Sequence, residues 1–202
     1  MSPLPSSEDV LLFWFGSLDA QGLAAAETMK RWFQKDPAFD QEVKDRFLSL
    51  YESIVRGEQA AWLRTVRGRL ATVIVLDQFS RNMFRDTKAM YAADDLALAS
   101  ARGLVDDGAH LHLPNAERSF CYMPFMHSEA LPDQEQCVAL FERMLEGTTG
   151  VVRERVELNV RYARAHLDVV ARFGRFPHRN AILGRTSTGD EVAFLKEPGS
   201  AF

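Results

Sequence analysis

The segment Ala71-Thr72-Val73-Ile74-Val75-Leu76-Asp77 decides the fold class. It is apolar and β-branched and ends in a carboxylate, like a buried parallel strand presenting a magnesium-binding aspartate in a nucleotide hydrolase. That fold also needs a G-x-x-x-x-G-K-[ST] loop to cradle phosphates, and the 202-residue chain has none. No other segment offers a convincing companion strand. With a period of 3.6, the same residues run on through Gln78-Phe79-Ser80-Arg81-Asn82-Met83-Phe84, and the stretch 68–84 predicts a buried helix.

The flanking sequence reads the same way. Ser6-Ser7-Glu8-Asp9 is a capping start for Val10-Leu11-Leu12-Phe13-Trp14-Phe15, and Gly16 ends that helix. Asp36-Pro37 places a cap before a proline at the first helical position. Phe39, Val43, Phe47, Leu50 and Ile54 then recur at three-and-four spacing up to Gly57. Stretches 94–105 and 134–145 are amphipathic, the second following the Leu131-Pro132-Asp133 break. A long helix is predicted over 151–173, with Val152, Val156, Val160, Ala163, Leu167 and Val170 on its apolar stripe. Its other face alternates in sign through Arg153, Glu157 and Arg161, then Arg164, Asp168 and Arg172. Thr188-Gly189-Asp190-Glu191 is a capping box for a short final helix. No linker, repeat or low-complexity stretch divides the chain. One all-α domain over residues 1–202 is predicted.

Composition narrows the function classes. The hydrophobic fraction is 47% and the charged fraction 26%, as in a soluble globular domain rather than a disordered chain. The formal net charge of -4 disfavours broad nucleic-acid binding, which needs a basic face to displace phosphate counterions. The apolar run 10–15 is far shorter than the ~18 residues of a membrane span, and no basic leader precedes it. A cytoplasmic protein with no membrane contact is expected. Cys121 and Cys137 form no metal pattern and no disulfide framework, and read as small buried hydrophobes.

Three polar segments are candidates for chemistry. Asp77 and Arg81 stand four apart on a face shared with Leu70, Val73, Ile74 and Phe84, and Gln78 and Asn82 form a similar pair beside them. Partial burial there demands partners: the pair ties helices together, or Asp77 orients Arg81 towards an anion. In Phe120-Cys121-Tyr122-Met123-Pro124-Phe125-Met126-His127-Ser128-Glu129, an internal proline predicts a kink that exposes polar backbone near His127. His127 is either a general base oriented by Glu129 or Asp77, or a hydrogen-bonded core histidine. In the run from Arg172 to Ser187, helical periodicity stops at Gly174, and Arg175, His178, Arg179, Asn180 and Arg185 follow on irregular backbone. These groups either grip an anion or form a strap that pins the bundle shut.

Leu12-Phe13-Trp14-Phe15-Gly16, Leu76-Asp77-Gln78-Phe79-Ser80-Arg81-Asn82, Tyr122 to Glu129, and Arg172 to Arg185 with Ser187-Thr188 together resemble the bacterial family catalogued as domain of unknown function 924. The resemblance spans about residues 10–195. It implies an all-α fold of stacked antiparallel helical hairpins, similar to tetratricopeptide proteins, and implies no activity. The family usually has proline at Ser80 and glutamate at Met126. The first departure is expected to relax a turn after Asp77, and the second removes a carboxylate beside His127.

Three functional hypotheses follow. The first is a pocket for a small anionic ligand, phosphate or carboxylate. Asp77, Gln78, Arg81, Asn82, Tyr122, Ser128, Arg175, Arg179, Asn180 and Arg185 are its candidate binding residues. His127, His178 and Glu129 are its candidate catalytic residues, with ester hydrolysis the favoured reaction if it is an enzyme. The second is a peptide- or protein-binding groove exposing Trp14, Trp32 or Trp62. The third makes the polar segments an interior clasp. Spacing supports no metal site, and no cofactor is expected.

Overall fold

A computed structural model describes residues 3–200. Among these, every regular element is helical and no strand occurs. Helix α1 (Ser7–Phe15) starts on Ser6, whose hydroxyl accepts from the Asp9 N–H while the Asp9 carboxylate accepts from the Ser6 N–H. Helix α2 (Ala26–Arg31) leads to α3 (Pro37–Val55), which the Asp36 carboxylate caps by accepting from the N–H groups of Ala38 and Phe39. The decisive segment is helical throughout: α4 (Val66–Val73) passes into a π-helical segment (Ile74–Phe79) and then α5 (Ser80–Met83). Helices α6 (Asp94–Asp106), α7 (Asn115–His127), α8 (Leu131–Leu145) and α9 (Gly150–Phe173) follow, and each packs on the next. Short helices α10 (Asn180–Leu183) and α11 (Gly189–Phe194) complete the chain.

The strand-like composition of 71–77 has a packing explanation. Helices α1, α3, α6 and α7 all pack against the helical stretch 66–79, so Leu70, Ala71, Val73, Ile74, Val75, Leu76 and Phe79 are all buried. A helix enclosed by neighbours is apolar all round, and loses the alternation that marks a surface helix. Beside it Trp14 meets the edge of Phe120 with centroids 5.6 Å apart, and Phe47 lies 4.6 Å from Phe79. Trp14 is buried, while Trp32 and Trp62 pack partly buried against the same core. A second small cluster, Val169, Val170 and Phe176 with Phe173 and Phe194, fastens the C-terminal segment to the end of α9.

Several local expectations change. Helix α8 begins at Leu131, not 134, because Pro132 sits in a first turn where its missing N–H goes unneeded. Helix α7 runs through Pro124 to His127, and Gln134 of α8 donates to the carbonyls of Phe125, Met126 and Ser128 at its end. The polar backbone near His127 is thereby satisfied from within. On α9, Leu167 is only half-buried and His166 takes the buried place beside it. Arg164 pairs with Glu142 of α8 at 2.6 Å, although Arg153 and Glu157 do pair along α9. No turn follows Asp77. The helix continues through Ser80, whose hydroxyl donates to the Leu76 carbonyl at 2.6 Å.

Gly68 sets how closely the central helix approaches the 3-10 turn Ala60–Arg64. A Cβ there would lie 2.2 Å from the Trp62 carbonyl oxygen and 2.7 Å from Thr65 Oγ1. Gly68→Ala is therefore expected to lower stability by roughly 1–3 kcal/mol, the usual cost of overpacking against backbone. Urea unfolding measures this, and an unchanged midpoint would show that the turn is free to move away.

Candidate functional site

The π-helical segment carries Asp77 into the centre of the bundle with no solvent exposure. A buried carboxylate needs compensation at both oxygens. Oδ1 faces Arg81 Nη1 at 3.0 Å and His127 Nδ1 at 2.7 Å, and Oδ2 accepts from Gln78 Nε2 at 2.6 Å. Arg81 Nη1 also donates to the Asp77 carbonyl at 2.7 Å, so one side chain serves both the carboxylate and a main-chain oxygen of the π segment. Helix interruptions of this kind recur at functional sites. The outer side of Arg81 makes a two-pronged pair with Asp94 at the start of α6, at 2.9 and 3.0 Å.

Beyond Asp94 stands Arg179. Its side chain is 8% exposed, and its Nη1 lies 3.7 Å from Asp94 Oδ2, too long for a good hydrogen bond. Its buried Nε has no hydrogen-bond partner among the described residues. The rings of Tyr91 and Phe176 lie against the guanidinium, with centroids 4.6 and 4.5 Å from its central carbon. Aromatic faces stabilise the charge and leave its N–H groups without acceptors. His166 and His178 flank this region, each in electrostatic reach of both Arg179 and His127.

The neighbouring arginines are engaged otherwise. Arg185 grips Glu129 through both prongs at 2.6 and 2.9 Å, and donates to the Phe176 carbonyl and the Asn180 side chain. Glu129 also accepts from the Phe176 N–H at 2.7 Å. Arg175 grips Glu191 at 2.6 and 2.8 Å, while Asn180 donates to Ser187 and Glu191. The capping box of Thr188 and Glu191 forms as well. These contacts strap the C-terminal segment to the connection between α7 and α8 and tie α11 to it.

Of the sequence candidates, Asp77, Gln78, Arg81, His127, His178 and Arg179 thus gather in one region, and Glu129, Arg175, Asn180 and Arg185 form the strap beside it. Three others point elsewhere. Asn82 donates to Asp40, which Arg85 also holds. The Tyr122 hydroxyl meets His110 at 2.6 Å inside the core, and Ser128 donates to Asp133. Each hydroxyl or amide is used up by a structural partner. Asp94, Tyr91, Phe176 and His166 belong to the region without having been singled out as site residues. Phe176 lies within the run 172–185 that carries the family resemblance, and Asp94 is an acid in the first turn of a helix. Among the described residues, no group of three or more His, Cys, Asp or Glu side chains is placed to hold a metal ion.

Fold and site together define an all-helical protein with a buried carboxylate–imidazole–guanidinium centre. The chain belongs to the family described as bacterial protein of unknown function (DUF924), whose model matches residues 10–199. It is similar in structure to a protein of unknown function, ATU0120, from Agrobacterium tumefaciens, at 34% identity and a TM-score of 0.78, over 94% of this chain and 96% of that one. No curated protein matches it.

Electrostatics fix the protonation of the centre. Burial pushes the Asp77 carboxyl up, but Arg81 and His127 outweigh it and hold the group ionised, well below the usual carboxylate range. Burial, helped by Arg81, pushes the His127 imidazole down against the pull of Asp77, so the ring is neutral. An ionised carboxylate only accepts, so Nδ1 carries the His127 proton and Nε2 presents its lone pair. Burial lowers His178 to about 4 and His166 to about 3. Unfolded histidines bind protons near pH 6.5, so from there down to about 4 the unfolded chain holds more protons than the folded one. Stability is expected to be full above pH 6.5 and to fall as pH drops towards 4, with His166→Gln reducing the slope. Urea titrations at stepped pH test this. A flat profile across that window would contradict neutral, buried imidazoles.

Proposed function

We propose that this protein binds a small anion, carboxylate or phosphate, at Arg179, with His127 exchanging a proton with the bound molecule. The observation that carries this reading is Arg179 itself: a buried guanidinium whose Nε lacks an acceptor and whose nearest carboxylate is 3.7 Å away. Buried donors without partners cost stability, and a bound anion supplies the missing acceptors. Asp77 holds His127 in the tautomer whose Nε2 acts as a base, as the carboxylate does in carboxylate–histidine hydrolytic sites. Hydrolysis of an ester is the reaction these parts suit: His127 draws a proton from water as the water oxygen attacks the carbonyl carbon, Arg179 balances the charge on the developing oxyanion, and the proton passes from His127 to the departing alcohol as the ester C–O bond breaks. Cys121 and Cys137 offer no competing nucleophile, since both are buried and burial pushes both thiols up, Cys121 to about 12. Free thiols also agree with a reducing, cytoplasmic setting.

A tetratricopeptide-like interaction module is the second reading, and exposed Phe33 (71%) and Leu12 (64%) favour it. The tryptophans proposed to line such a groove are packed into or against the core. The clasp reading accounts for Arg175, Asn180 and Arg185 and leaves Arg179 unexplained.

A thermal-shift screen of acetate, benzoate, inorganic phosphate and phenyl phosphate tests the proposal on wild type and Arg179→Gln. A ligand at about 100 times its Kd should stabilise wild type by about 2.7 kcal/mol and leave the folded variant unshifted. His127→Asn should reduce the shift and lose any ester hydrolysis found in wild type. A shift that persists in Arg179→Gln would place the anion elsewhere.

A further inference from the structure

Resting on the anion-site reading, we infer that the ligand is a monocarboxylate and not a phosphate dianion. Two guanidinium groups, Arg81 and Arg179, face two carboxylates, Asp77 and Asp94. Glu129, the next acid, is matched by Arg185 through a two-pronged pair. His127 is neutral, because burial and Arg81 push its imidazole down. Among the described residues, the centre therefore has no surplus positive charge. It has spare hydrogen-bonding capacity on one side chain.

Arg81 is already engaged by two carboxylates. Its Nη1 and Nη2 are occupied by Asp77, the Asp77 carbonyl and both oxygens of Asp94. Arg179 remains, a planar fork with rings resting against its central carbon. Two N–H groups of such a fork match the two oxygens of a carboxylate in one plane. A phosphate dianion brings a second negative charge and a third oxygen, and meets no second unpaired cation among the described residues. It also stands next to Asp94, whose Oδ2 is already 3.7 Å from Nη1. At close range in a water-poor site this repulsion discriminates strongly between charge states. A single negative charge, in contrast, is matched when His127 takes up a proton. The groups that face this imidazole are Asp77, Arg81 and Asp94, with His166 and His178 in electrostatic range, so the anion adds to the two acids already drawing the proton in.

Benzoate and phenyl phosphate share a ring and differ in the charged group, so they isolate this term. At pH 8, titration of wild-type protein followed through the side-chain Nε–H signal of Arg179 should show benzoate binding at least about tenfold more tightly than phenyl phosphate, equivalent to about 1.4 kcal/mol. The signal reports on the intact protein, so the comparison does not depend on a variant that folds. Arg179→Lys, which keeps the charge and loses the fork, should weaken benzoate by a similar factor. Equal or tighter binding of phenyl phosphate at Arg179 would overturn the carboxylate assignment and leave the anion site standing. Failure of both compounds to move the Arg179 signal would overturn both.

Discussion

The Asp77 carboxylate, wholly buried on a π-helical segment, is the constraint from which the rest of the centre follows. An ionised acid in that place is tolerated only if cations and donors converge on it. Arg81, His127 and Gln78 answer that demand from one helix turn and from the end of α7. Each is then fixed by the contact. Arg81 is turned so that its other edge meets Asp94, and His127 is held in a single tautomer. Breaking this arrangement at one member would strand a charge in the core, which is why such clusters fail as units.

The C-terminal segment plays two roles that its composition does not separate. Arg175 and Arg185 are structural, each spent on a carboxylate with two-pronged geometry, and they carry the backbone of Phe176 and Asn180 into place. Arg179 lies between them and receives no such partner. The strap thus delivers Phe176 and Arg179 against Tyr91 and Asp94, completing a region whose other half is built by the central helix and α7. Stability of the strap and placement of Arg179 are linked through this shared backbone. Losing Arg185 would loosen both, whereas losing Arg179 would empty the region and leave the strap's own contacts intact.

Much of this was legible in the residues. Caps at Ser6, Asp36 and Thr188 read correctly because they rest on contacts within four residues. The helical nature of 71–77 was decided by what the chain lacks, a phosphate loop and a second strand. The i,i+4 pairing of Asp77 with Arg81 is also present in the fold. What stayed hidden depends on tertiary position. Three arginines within eleven residues look alike in sequence, and only the placement of Glu191, Glu129 and Asp94 gives them different roles. Tyr91 lies on a short 3-10 turn with no periodic pattern to mark it. Four helices enclose the π segment, and no local propensity announces it.

The tautomer and charge of His127 test the central claim most directly, because both follow from an ionised Asp77 at 2.7 Å from Nδ1. Nitrogen-15 NMR of the imidazole at pH 7 reads them without any ligand or substitution. A neutral ring with its proton on Nδ1 is the predicted result. A proton on Nε2, or a doubly protonated ring at pH 7, would contradict the account by removing the lone pair on which the proposed chemistry depends.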